Sequence, residues 1–162
     1  MGKQQIVQAF GNRLRVRVCG ICIRGDSLLM VKHGSMGTTG QFWAPPGGGL
    51  HYGERTEDAL EREFAEETGL WVTTGKFLFV HEFLKEPLHG IELFFEVQET
   101  GGHLQTGQDP EMLQHEQIIE EVRFADFSEL KNLPEGALHN IFSYCQSVEE
   151  LLQMRGLYQF RP

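Results

Sequence analysis

The apolar and polar positions divide the chain into a small set of elements. Residues 14–24 form a β-rich run, and from Arg13 onward Arg13, Arg15 and Arg17 alternate with Leu14, Val16 and Val18. A Gly25-Asp26 pair and a second β-rich run at 27–33 follow, which predicts a hairpin. From 34 to 53 the chain reads as a glycine-rich loop, with Pro45-Pro46 followed by Gly47-Gly48-Gly49. A helix is expected next. Thr56 suits its N-cap, Glu57 and Asp58 suit the positive end of its dipole, and Gly69 suits its end. Leu60 and Phe64 lie one turn apart and supply its apolar stripe. Further strands are expected at 76–85 and 91–98, joined through Pro87-Leu88-His89-Gly90, and another at 121–127. A long polar loop is expected at 101–115. The last element is a helix over 137–154, with Leu138, Ile141, Phe142, Cys145, Val148, Leu151 and Leu152 at helical spacing. Strands with one helix between them and another at the end predict an α/β sandwich with a mixed sheet.

The chain has 162 residues and 18.5 kDa of mass, which fits one domain over 1–162. With 23 Asp+Glu against 14 Lys+Arg, the net charge is −9. That excludes a general nucleic-acid backbone binder, which needs a basic face. It leaves room for a polyphosphate substrate if a divalent cation stands between the two anions. No run of apolar residues is long enough for a membrane span, and the first residues lack the apolar core of a signal peptide. A cytoplasmic location is therefore expected. Cys19 and Cys22 form C-x-x-C within a strand, where positions three apart point to opposite faces. They are expected as small buried core residues rather than a redox or zinc pair.

The informative stretch is Gly48-Gly49-Leu50-His51-Tyr52-Gly53-Glu54, then seven residues, then Arg62-Glu63-Phe64-Ala65-Glu66-Glu67-Thr68-Gly69-Leu70. With Ala59 at zero on a helical wheel, Glu63 falls at about 40°, Glu66 at about 340° and Glu67 at about 80°. Three carboxylates therefore share about a third of the circumference, beside the apolar stripe. Like charges at this spacing repel. A cluster set against the core makes sense if a cation neutralises it, and hard oxygen donors suit Mg²⁺ or Mn²⁺. Arg62 is placed to orient a carboxylate, and Glu54 to support the group. Any E-x-x-E-E on its own reads more readily as a solvated helix face.

The complete pattern changes that balance. The stretch G-x5-E-x7-R-E-U-x-E-E-x-G-U, with U apolar, is satisfied at every fixed position from Gly48 to Leu70. It resembles the Nudix hydrolase box, and Trp43-Ala44-Pro45-Pro46-Gly47-Gly48 is similar to the segment that leads into that box. Phe64 is larger than the aliphatic residue usual at its position. The resemblance implies a Nudix-type α/β/α sandwich with a mixed β-sheet. It also implies divalent-metal-dependent hydrolysis of a nucleoside diphosphate linked to another group. Glu63 and Glu67 would bind metal with the Gly48 carbonyl. Glu66 would add a ligand or handle the attacking water. Family members often place a further base or ligand beyond the box. Glu111, Glu116, Glu120 and Glu121 are candidates, with Glu116 favoured.

Substrate selection is less legible. Arg13, Arg15 and Arg17 share a strand face and could meet phosphate or ribose, or simply decorate an exposed edge. Lys32 or His33 could meet the distal phosphate, and Trp43 or Phe42 could stack on a base or pack internally. His81 and His89 are not spaced as a metal pair and receive no role. Pro87 lies 17 positions past Leu70, near where ADP-ribose-type members carry a proline. ADP-ribose or a nucleotide sugar is the expected substrate. A nucleoside triphosphate pyrophosphohydrolase or a non-catalytic nucleotide-binding module are the alternatives, and homodimerisation is common in the family.

Overall fold

The computed structural model describes residues 3–34, 36–108 and 117–160. Its organising strand is β1 (Arg13–Arg24), which starts after a short helix α1 (Lys3–Phe10). From Arg13 to Cys22, β1 runs parallel to β6 (Leu88–Gly102), and at its end it turns through Gly25-Asp26 into β2 (Ser27–Gly34). The predicted hairpin is present. β2 then pairs antiparallel with β3 (Gln41–Ala44) and with β7 (Ile119–Asp126). β5 (Leu70–Lys85) pairs antiparallel with β6 and carries the short parallel strand β8 (Leu157–Gln159) on its outer side. The sheet is mixed, as expected.

The stretch 34–53 is not all loop. Gly47–Gly49 form strand β4, antiparallel to Arg17–Cys19 of β1. Three glycines give no apolar alternation, so the pattern could not reveal a strand. Its position shows why they are needed. A Cβ at Gly47, where φ is 154°, would lie 2.1 Å from the Val18 carbonyl oxygen. The main chain of β4 can thus lie closer to β1 than any side chain would allow.

Helix α2 (Thr56–Thr68) covers one sheet face. Ala59, Leu60 and Phe64 are buried there against Val18, Cys22, Leu29, Val31, Val72 and Val97. Burying Leu60 and Phe64 contributes about 1.5–3 kcal/mol each. Arg55, in extended conformation, occupies the N-cap without a side-chain cap, so Thr56 is the first helical residue rather than the cap. Gly69 ends the helix as expected, in the left-handed conformation at φ 71°. The carbonyls left over at this end are satisfied by the following loop. The N–H groups of Gln105, Gly107 and Gln108 donate to Thr68, Glu67 and Glu66.

The other face is covered by α3 (Phe127–Lys131), a 3-10 turn (Asn140–Tyr144) and α4 (Val148–Gln153). Phe127, Leu130, Ile141, Phe142 and Leu151 pack there on Cys19, Ile21, Met30, Phe79 and Phe94. The α/β/α sandwich is thereby complete. The single helix expected over 137–154 is broken. His139 caps the 3-10 turn by accepting from Ile141 N–H. Cys145 is extended, and Ser147 opens α4 by accepting from Glu150 N–H at 3.2 Å. The Glu150 carboxylate returns a bond from Gln146 N–H, a reciprocal cap that starts a new helix. Cys19 and Cys22 lie in opposite layers, with both thiols free and raised by burial, that of Cys22 to about 11.

Gly20 of β1 faces Phe64 so closely that a Cβ there would lie 2.5 Å from the ring. Gly20→Ala is expected to lower stability in urea unfolding by about 1–3 kcal/mol, the cost of overpacking a filled core. Wild-type stability would show that the α2–β1 contact can give way.

Candidate functional site

α2 and β4 meet along the three glycines. The Glu63 carboxylate packs against Gly48, where a Cβ would lie 2.3 Å from Glu63 Cδ. Glu67, one turn on, accepts a hydrogen bond from Gly47 N–H at 3.0 Å. Glu63 is 6% exposed and Glu67 4%. Both carboxylates are held inside the protein, beside the apolar stripe as the wheel predicts. Burial pushes the Glu63 carboxyl above its ordinary range, with Arg62 pulling the other way.

Arg62 ties the acidic groups together. It makes a two-pronged pair with Glu54 (2.8 Å from Nε, 3.0 Å from Nη2). Its Nη1 donates to Glu63 at 2.8 Å and to Glu66 at 3.1 Å, and its Nη2 donates to the Gly49 carbonyl at 3.2 Å. One guanidinium thus bridges three carboxylates, offsetting part of their charge, and pins the helix to β4. The orienting role of Arg62 and the supporting place of Glu54 are both as the spacing predicts.

A cavity of about 210 Å³ opens beside these groups. Gly47, Gly48, Gly49, Glu63 and Glu67 form one side of it. Arg15, Arg17, His33 and Glu92 add polar groups, and Ile6, Phe10, Phe42, Phe83 and Ile118 give it apolar walls. Arg17 donates to the Gly47 carbonyl at 3.0 Å and to Glu92 at 3.3 Å, while its buried Nε has no partner among the described residues. Arg15 lies over the Phe10 ring at 3.9 Å. Arg13 turns away to the Ala9 carbonyl. Burial, with Arg17 nearby, lowers the His33 pKa to about 3, so this ring enters the cavity neutral.

Two residues expected to contact substrate lie elsewhere. Lys32 pairs with Glu120 at 3.1 Å, and Trp43 is buried in the core with Arg123 over its ring at 4.8 Å. Their neighbours His33 and Phe42 line the cavity instead. Lys32 and Trp43 are register partners across β2 and β3, as are His33 and Phe42. Alternate positions of a strand face opposite sides, so one parity reaches the cavity and the other does not. Glu66 is half-buried and is held by Arg62 rather than lining the cavity. Glu111 and Glu116 lie outside the described residues.

A second polar group was not anticipated. Glu92 of β6 accepts from His81 Nδ1 and His139 Nε2, both at 2.8 Å, and all three are buried. Against the upward push of burial, His139, His81 and Arg17 hold the Glu92 carboxyl well below the usual carboxylate range. These side chains could offer three metal-ligand atoms within 4.8 Å of one another. A signal was present in the sequence: His81 directly follows the apolar run Phe77–Val80 and Glu92 sits between Ile91 and Leu93, and β5–β6 pairing sets the two side by side.

A NUDIX domain family model matches residues 13–143, and the chain belongs to that family. An ADP-ribose pyrophosphatase of Methanocaldococcus jannaschii is 33% identical over 121 residues, covering 74% of this chain and 64% of that protein. The chain thus spans a little under two thirds of the relative's length. Among solved structures, a NUDIX hydrolase from Nitrosomonas europaea superposes with a TM-score of 0.64 at 16% identity, covering 90% of this chain and 79% of that one. A UDP-X diphosphatase superposes with a TM-score of 0.61 at 20% identity, covering 90% and 67%. These two likenesses are of fold. None of the described helices is long and apolar enough to cross a membrane.

The Arg62 hydrogen bonds hold the Glu54 carboxyl down at about 2, below its ordinary 4.5. A carboxyl lowered on folding contributes stability above its unfolded pKa and loses it as pH falls through the folded one. Glu54→Gln is therefore expected to be less stable than wild type in urea at neutral pH. The gap should close as pH falls from 4.5 towards 2. A gap constant across that range would show that the pair contributes nothing.

Proposed function

We propose that this protein hydrolyses the pyrophosphate link of a nucleoside diphosphate joined to a second group, with ADP-ribose the foremost substrate. The observation that carries the reading is the meeting of two buried carboxylates, Glu63 and Glu67, with Arg17 and aromatic walls around one cavity. The identity to an ADP-ribose pyrophosphatase supports the substrate class.

The donor set fits a hard divalent ion. Glu63 and Glu67 reach the cavity from one helix face, and the bare Gly48 backbone lies against Glu63 with no side chain between them. Glu63, Glu67 and the Gly48 carbonyl would hold Mg²⁺ or Mn²⁺, with Glu66 as a further ligand. When bound, such an ion lowers the pKa of the attacking water and neutralises charge on the leaving phosphate. The chain's own residues do the rest. Arg17, tied to Gly47 and Glu92 on the cavity wall, offers its positive charge to a phosphate oxygen. Arg62 keeps Glu63 and Glu66 in place without occupying the cavity itself. Phe10, Phe42 and Phe83 provide apolar surface for a base or ribose and limit water around the anhydride. Glu116 beyond the box, or Glu66 once released from Arg62, would take the proton from the attacking water as its oxygen bonds to phosphorus and the phosphorus–oxygen bond to the leaving phosphate breaks.

Phosphate-linked product release would be measured for ADP-ribose, other nucleotide sugars, dinucleoside polyphosphates and nucleoside triphosphates, each with Mg²⁺, Mn²⁺ or EDTA. The expected result is metal-dependent cleavage with ADP-ribose or a nucleotide sugar preferred. A preference for triphosphates would replace the substrate, and silence from folded protein would contradict an enzymatic role. Glu67→Gln should remain folded and lose at least about tenfold in rate, or about 1.4 kcal/mol of barrier stabilisation.

A further inference from the structure

The box does not account for the polar group at the cavity wall, where Glu92 and His139 both line the cavity. His81 and Glu92 are register partners on β5 and β6, and His139 comes from the segment before the 3-10 turn. Their exposures are 1%, 4% and 7%. An ionised carboxylate this deep is costly unless it is well hydrogen-bonded. Glu92 has both histidines on Oε2 and Arg17 on Oε1.

Two histidines and a carboxylate can form a metal triad, so the protons decide what this group is. Ile141 N–H donates to His139 Nδ1 at 3.3 Å, and Nδ1 must therefore present its lone pair. The neutral ring then carries its proton on Nε2, which faces Glu92 at 2.8 Å. A metal at Nε2 would move that proton to Nδ1, against the Ile141 N–H. The group is a hydrogen-bonded brace.

We propose that Glu92, braced by His81 and His139, is a positioning residue that fixes the Arg17 guanidinium at the cavity wall for an anionic phosphate. Arg17 has two anchors, Glu92 Oε1 on one Nη and the Gly47 carbonyl on the other. Gly47 N–H in turn holds Glu67. The brace therefore sets the Arg17 cation and a box carboxylate relative to each other through a single residue, Gly47, whose carbonyl meets one and whose N–H meets the other. Such preorganisation reduces the ordering that a flexible arginine would undergo on binding. The role rests on the reading of this cavity as a phosphoanhydride site, but the arginine's restraint can be measured without substrate.

The first readout is the Arg17 guanidinium signals in ¹H–¹⁵N NMR, identified by their loss in Arg17→Lys. Separate, slowly exchanging Nη signals are expected in wild type. They should merge in Glu92→Gln while the backbone spectrum stays folded. A freely rotating Arg17 in wild type overturns the proposal even if Glu92→Gln does not fold, and so does an Arg17 unmoved by that variant. The second readout is a double-mutant cycle on pyrophosphate binding by calorimetry and on KM for ADP-ribose. Glu92→Gln should weaken each about tenfold, the low end for loss of a supporting hydrogen-bond partner. It should add almost nothing in the Arg17→Lys background. Additive effects would show that Glu92 does not act through Arg17. If wild type binds pyrophosphate but leaves ADP-ribose intact, the substrate reading fails while the arginine signals still decide the brace.

Discussion

The structure depends on the closeness with which α2 approaches the glycine strand β4. Side chains at Gly47 and Gly48 would run into the Val18 carbonyl and the Glu63 carboxylate respectively. Without them, the helix settles with Leu60 and Phe64 in the core and Glu63 and Glu67 at the cavity edge. The same contact gives Arg62 its reach to Glu54 and the Gly49 carbonyl, so one cation offsets the repulsion that the acidic face would suffer alone. Burial drives the packing, and the absence of side chains at Gly47 and Gly48 lets the carboxylates share in it.

From that contact the remaining geometry follows in layers. β4 lies on β1, so the arginine on β1 that faces the glycines comes between the box and the next strand, β6. β6 supplies Glu92, β5 supplies His81, and the cap of the 3-10 turn supplies His139. Each polar group in this series is satisfied by the next, from the histidines to Glu92, Arg17, Gly47 and Glu67. Among the described residues, the buried Arg17 Nε is left without a partner. A buried polar series that brings an arginine to the cavity wall beside two carboxylates makes chemical sense for an anionic ligand that brings or meets a cation.

Much of this was legible in the chain because it is local. The helix, its glycine stop, the arginine among the carboxylates and the hairpin all follow from spacings of a few residues. What escaped depends on strand register. Lys32 and Trp43 sit one position from His33 and Phe42, and only pairing across β2 and β3 settles which parity meets the cavity. His81 and Glu92 become neighbours through β5–β6 pairing. The break at Cys145 hides within a helical apolar pattern, because both a 3-10 turn and an α-helix bury residues every three or four positions.

A divalent-cation site formed by the bare Gly48 backbone and the buried Glu63 carboxylate can be tested without substrate. The direct measurement is Mn²⁺ titration followed by electron paramagnetic resonance, on wild type and on Gly48→Ala, with folding checked for both. Bound Mn²⁺ in wild type and a clear loss of affinity in the folded variant are the expected result. Equal affinity in the two proteins would contradict the account.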